Sequence, residues 1–131
     1  MAKKISQKSK NPKKQRKYLA EAQLHKKHKM IAAHFSKELR NKYKRRAFPL
    51  HKGDSVRIMV GEFRNKEGKI TKIRTKPLKV YLENMQKARK DGTKVNIPFH
   101  PSNLQIINLN LDDRIRTKAL ERASKGEKNA S

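Results

Sequence analysis

Three short runs concentrate chemistry in this sequence: KKQRK at residues 13–17, HKKHK at 25–29 and KYKRR at 42–46. Lysine and arginine at this density hold phosphate oxygens through charge-assisted hydrogen bonds. Lys13, Lys14, Arg16 and Lys17 are predicted phosphate contacts from the first run, and Lys26, Lys27 and Lys29 from the second. Arg40, Lys44, Arg45 and Arg46 are predicted from around the third. Tyr18, Phe35 and Tyr43 fall among them and offer rings on which unpaired bases can stack. A charge run alone is most often a solvated face. Here the whole chain weighs against that reading. It carries 36 Lys and Arg against 11 Asp and Glu, a net charge of +25, which favours a polyanionic partner.

Other chemistries fit poorly. His25 and His28 stand three apart with His34 nearby. Lys26, Lys27 and Lys29 would repel a cation, and no acid is close enough to complete a metal shell. Hydrogen bonds to phosphate or to a ribose 2′-OH are the better use of these imidazoles, and no metal or cofactor is expected. His100 in FHPSN reads as a turn residue with Ser102 or Asn103 as partner. The acids are scattered, and no phosphate-loop, nucleophile-elbow or zinc-protease motif occurs. An enzyme is not expected. There is no cysteine, which excludes disulfides and thiolate metal sites. The N-terminus lacks the apolar stretch of a secretory signal, and no run is long and apolar enough to span a bilayer.

The elements that must position these cations divide the chain. Residues 1–50 hold 17 of the Lys and Arg against only Glu21 and Glu38, and the first glycine is Gly53. Residues 1–49 therefore read as a basic extension with short helices, 50–109 as a β domain, and 110–131 as a C-terminal helix with a frayed tail. Asn11-Pro12 marks a helix start. Ala20, Leu24, Ile31 and Phe35 then follow at spacings of four, seven and four, one side of a helix. Ser36 is a cap for a second helix through KELRNKY. Neither has the apolar surface to fold alone, so the arm is expected to need a partner or stay mobile.

Beyond Leu50 the period becomes two. Val56, Ile58 and Val60 give a first strand. Ile70 and Ile73 belong to a second, and their spacing of three predicts a bulge or bend. Val80 and Leu82 point inward from a third, with Tyr81 outward. Asp91-Gly92 marks a turn into a fourth strand carrying Val95, Ile97 and Phe99, which Pro98 restricts to an edge or a strand end. Leu104 and Ile106 define a fifth. The expected fold is mainly β, a small five-stranded barrel whose closure removes exposed edges. Asp112-Asp113 caps a last helix with Ile115, Ala119 and Leu120 as its apolar stripe, and Lys125 to Ser131 is expected to fray.

The stretch VRIMVGEFRNKEGKI places charged residues between Gly61 and Gly68, with Gly53-Asp54 just before it. Glycines at both loop ends let a backbone come close to phosphates. This stretch resembles the KOW motif of ribosomal proteins and transcription elongation factors. Together with HFSKELRNKY, FPLHKGDS, DGT, PFHPSNLQI and LNLDDRIR, it resembles one family from about Pro12 to Arg122. That family is large-subunit ribosomal protein twenty-four in its archaeal–eukaryotic form, the twenty-sixth in eukaryotic naming. Asn65 departs from it, standing where a small residue such as glycine is common.

The resemblance implies an SH3-like barrel with basic extensions, a structural constituent of the large subunit near the polypeptide exit tunnel, acting early in assembly. It implies large-subunit ribosomal RNA and neighbouring ribosomal proteins as partners, with no membrane insertion and no homo-oligomer of its own, in the cytoplasmic ribosome. Lys52, Arg57, Arg64, Lys66 and Lys69 are the predicted RNA contacts of the barrel. The rival reading is a KOW-containing elongation factor, which would be expected to carry a separate polymerase-docking domain.

Overall fold

The structure, a computed structural model, describes residues 9–128. Two helices come first, α1 (Pro12–Glu21) and α2 (Leu24–Met30). Strand β1 (Ala32–Phe35), helix α3 (Lys37–Tyr43) and strand β2 (Ala47–Pro49) follow. Then come β3 (Ser55–Ile58), β4 (Glu67–Arg74), β5 (Lys79–Ala88), β6 (Lys94–Phe99), a 3₁₀ turn at Pro101–Asn103, and β7 (Leu104–Asn108). Helix α4 (Arg114–Lys128) closes the described chain. The fold is mixed α/β rather than mainly β, because helices flank the strands at both ends.

The strands form one seven-stranded sheet in the order β2-β1-β7-β3-β4-β5-β6. Only β1 and β7 run parallel, with Phe35 opposite Ile106. The alternation in the sequence gives the inner face. Val56 and Ile58 lie opposite Ile106 and Leu104, and all four are fully buried. Val80 and Leu82 face the same core. The bulge predicted between Ile70 and Ile73 is present as a register shift between Ile70 and Lys72. A second shift lies between Tyr81 and Gln86, where Asn84 takes φ +62° and Met85 turns inward. Two shifts in long strands bend the sheet, so that Phe99 of edge strand β6 reaches the core that holds Phe35. Pro98 sits on that edge, as its missing N–H requires.

Three expectations are corrected. The first strand stops at Ile58, and Val60 is 60% exposed in the following loop. Ile115 is 75% exposed, so α4 turns Leu120 and the Arg116 side chain inward instead. The largest correction concerns residues 31–50. Ile31, Ala33 and Phe35 alternate with half-buried Ala32 and His34, which is strand periodicity. A spacing of four between Ile31 and Phe35 fits both a helix and a strand, and burial against β7 selects the strand. Phe48 and Leu50 enter the same core. This segment therefore contributes to the core of the fold. Helix α1, by contrast, buries no residue, and Leu24 on the expected stripe is 61% exposed.

Local signals at the helix ends hold. Asn11 accepts from Lys13 N at 3.1 Å, Ser36 from Leu39 N at 3.5 Å and Asp113 from Ile115 N at 2.9 Å. Helix α4 continues through Lys128, past the point where fraying was expected, and residues 129–131 of that expected tail lie outside the described residues.

Candidate nucleic-acid interface

The cations reach the surface in three settings. On α1, Lys13, Lys14, Arg16 and Lys17 are all exposed. Lys17 lies 3.9 Å from Glu21 with both side chains more than half exposed, a pair that solvent screens to little effect. These four cations are open to an anion along one helix that buries no residue.

The second setting is the junction of α2, α3 and the sheet. Lys29, Arg40, Lys44 and Arg46 are exposed. Lys44 caps α3 in a left-handed conformation, φ +56°, and its N–H donates to Arg40 O at 2.9 Å. The Arg45 guanidinium lies 5.0 Å from the centre of the Phe48 ring, so its plane is already in use. Lys26 is half-buried. Lys27 is different from its neighbours. It is only 6% exposed, and Nζ donates to Lys76 O at 3.3 Å, pinning α2 to the turn after β4. Lys29 and Lys52, 23 positions apart, line one cleft with His28 and His51.

The third setting is the β3–β4 loop. Arg57 donates to Glu67 Oε1 from Nη2 at 2.7 Å and from Nε at 3.1 Å. Lys69 borders a hollow shared with Glu67 and Glu83. These carboxylates compete with any phosphate for Arg57 and Lys69. Lys66 lies 4.8 Å over the Phe63 ring, which packs edge-on against Phe99. Arg64 is exposed at the tip. Asn65 takes φ +69°, the left-handed conformation that glycine adopts freely and asparagine tolerates best among the rest. The chain thus keeps a glycine-like turn without glycine. Asn65 N donates to Ile58 O and Ile58 N to Lys66 O, closing the loop on the end of β3.

Sequence reasoning missed one exposed group and one buried pair. The β5–β6 hairpin presents Lys87, Arg89, Lys90 and Lys94 to solvent, and the run KARKDGTK was there to signal it. The Asp91 carboxyl in that turn is held below its usual range, first by the Thr93 backbone N–H at 3.0 Å and then by the Thr93 hydroxyl. His100 behaves as read, its Nδ1 2.7 Å from Ser102 Oγ.

The buried pair is Asp54 with Arg116, 62 positions apart. Nη1 donates to Oδ1 at 2.6 Å and Nη2 to Oδ2 at 2.5 Å. Asp54 also accepts from His51 N and Asn110 N, each at 2.9 Å, and Arg116 also donates to Asn110 O and Pro49 O. One interaction thereby ties β2, the β2–β3 loop, the segment after β7 and α4. No sequence signal marks it, because each residue alone is an ordinary surface type. Among the described residues no cluster of His, Asp and Glu could hold a metal ion, and no helix is long and apolar enough to cross a membrane.

Comparison with known proteins converges on one family. A family profile described as ribosomal proteins L26 eukaryotic, L24P archaeal matches residues 9–123. The large ribosomal subunit protein uL24 of Methanosphaera stadtmanae is 44% identical over 114 residues, covering 87% of this chain and 97% of the relative. The protein of the same name from Korarchaeum cryptofilum is 40% identical over 115 residues, covering 88% of each.

Proposed function

This chain belongs to the family of eukaryotic L26 and archaeal L24P ribosomal proteins, a structural and non-enzymatic family, and from that premise we propose that it binds large-subunit ribosomal RNA as a structural constituent of the large subunit. The observation that carries this reading is the family match across residues 9–123. The charge of +25 and the exposed cations on α1, α3 and the β hairpins supply the matching electrostatics. The register shifts in β4 and β5 support reading the sheet as an SH3-like barrel. That barrel docks on RNA through its loops, and α1 and the outer face of α4 lie along the phosphate backbone. Recognition is of RNA shape and backbone, because lysine reads little base information. The resemblance further supports a place near the polypeptide exit tunnel, contact with neighbouring ribosomal proteins, and a role early in assembly. The sixteen predicted cations divide by availability. Lys13, Lys14, Arg16, Lys17, Lys29, Arg40, Lys44, Arg46, Lys52 and Arg64 are the leading contacts, while Lys27, Arg45, Arg57, Lys66 and Lys69 have other partners or acidic neighbours and Lys26 is half-buried.

Co-sedimentation tests the reading. Stoichiometric retention on large subunits through a moderate salt wash is the expected result. Recovery with RNA polymerase instead would establish the elongation-factor alternative. For the isolated large-subunit RNA, ten neutralised phosphates predict a slope of log affinity against log salt of roughly −7 to −9. A slope near zero would remove the electrostatic basis of the proposal.

A further inference from the structure

The cleft between α2, the end of β2 and the end of β4 combines an apolar floor with a basic rim. Its volume is about 560 Å³, within the range of small-ligand sites. The floor is apolar. Ile31 and Leu50 are core residues, and Pro49 and Ile73 extend them outward. The rim is cationic and aromatic, made of His28, Lys29, His51 and Lys52. Thr75 completes the lining, which contains no acid. Among the described residues, none of the four rim side chains makes a hydrogen bond or ion pair.

The cleft is also held open by bonds that do not involve its rim side chains. Lys27 Nζ on Lys76 O fixes α2 over the end of β4. Leu50 N donates to Ile31 O at 3.0 Å, joining the two floor residues. Asp54 accepts the His51 N–H at 2.9 Å and sets the β2–β3 loop. The site is therefore preorganised, and a ligand would not need to order it.

A bare anion has no use for the apolar floor, and an apolar peptide has no use for a rim of four basic side chains. A nucleotide has both surfaces, a flat apolar base face and an anionic phosphate. We propose that this cleft receives one unstacked nucleotide of RNA, its base against Ile31, Leu50 and Ile73 and its phosphates on Lys29 and Lys52. His28 and His51 stack on the base or hydrogen-bond its edge, as imidazoles do with splayed-out bases. The inference rests on the RNA-binding reading above and adds a base-contacting subsite to a surface otherwise built for backbone.

The test uses the full chain and a transcript of large-subunit ribosomal RNA, with affinity followed across salt by filter binding. The double variant His28→Ala/His51→Ala should lose about tenfold at every salt concentration with an unchanged slope, the signature of a lost base contact. The double variant Lys29→Gln/Lys52→Gln should flatten the slope by roughly 1.4 to 1.8. Ultraviolet cross-linking of the unmodified complex, mapped by mass spectrometry, should place a cross-linked nucleotide within residues 28–31 or 49–52. Wild-type affinity in the histidine variant overturns the proposal, whether or not the lysine variant changes, and leaves the RNA-binding reading intact. Should circular dichroism show a variant unfolded, the cross-link map decides alone. A map without these positions, or a neighbouring protein segment cross-linked there in assembled subunits, overturns the subsite. Failure of the wild-type chain to bind the transcript strikes the RNA-binding reading itself.

Discussion

Helices α1 and α4 have similar charge and opposite structural standing. Both are basic, and both start from an Asx residue that accepts a backbone N–H two positions on. Yet α1 has no fully buried residue, whereas α4 buries Arg116 and Leu120 and packs beside α3. The difference lies in two side chains. Leu120 enters the core cluster, and Arg116 meets a carboxylate that the β2–β3 loop has already placed inside. Composition sets what a basic helix can bind. Attachment to the body of the fold is set by whether one turn of it meets a prepared partner.

That contrast can be broken most directly at Arg116. Arg116→Met leaves Asp54 buried with a charge and no counter-ion, and should cost about 3–5 kcal/mol of global stability by chemical denaturation. A loss below about 1 kcal/mol would mean the pair does not hold α4. Arg116 Nε has no partner among the described residues, so the pair is not saturated, but removing its partner atoms is the larger effect. Leu120→Ala comes next, at about 2–5 kcal/mol, since the helix cannot easily collapse into the vacated space.

The caps sharpen the comparison at a smaller scale. Asp113→Ala and Asn11→Ala remove the same local device, worth about 1 kcal/mol to the helix that carries it. The first should appear in global unfolding, because α4 is part of the cooperative unit. The second should reduce only helicity, with the denaturation midpoint unchanged. Equal global effects would show that α1 is coupled to the sheet after all.

Charge removal should invert the ranking. Lys13, Lys14, Arg16 and Lys17 changed to Gln should each move stability by no more than about 0.5 kcal/mol. All four changes together should flatten the salt dependence of RNA binding by roughly 3. The smallest effect belongs to Asp91. Its carboxyl is held low by Thr93, so the contribution of this turn is complete above the ordinary aspartate range and lost as pH falls through the lowered value. Hydrogen exchange at the β5–β6 turn should therefore quicken only in strong acid, and Asp91→Asn should weaken that dependence.

Much of the core and of the turns was legible in the sequence. The alternation of Val56 with Ile58, of Val80 with Leu82 and of Leu104 with Ile106 named the inner face, and the broken alternation at Ile70 and Ile73 named the bulge. Asn11, Ser36, Asp91-Gly92 and Asp113 acted as read because caps and turns are satisfied within a few residues. Burial of individual arm residues was less legible. Lys27 stands in a run of identical chemistry, and only its contact with Lys76, 49 positions on, sets it apart from Lys26 and Lys29.

The sequence by itself determined the charge, the caps, the turns and the family, since each of these is written in residue type and short spacing. Tertiary structure alone decided that residues 32–35 are a strand, that Asp54 and Arg116 form a buried pair, and that Lys29 and Lys52 line one cleft. The physical reason is common to the three. A side chain's fate depends on what packs against it, and those partners, Ile106, Asp54 and Leu50 among them, arrive from distant parts of the chain.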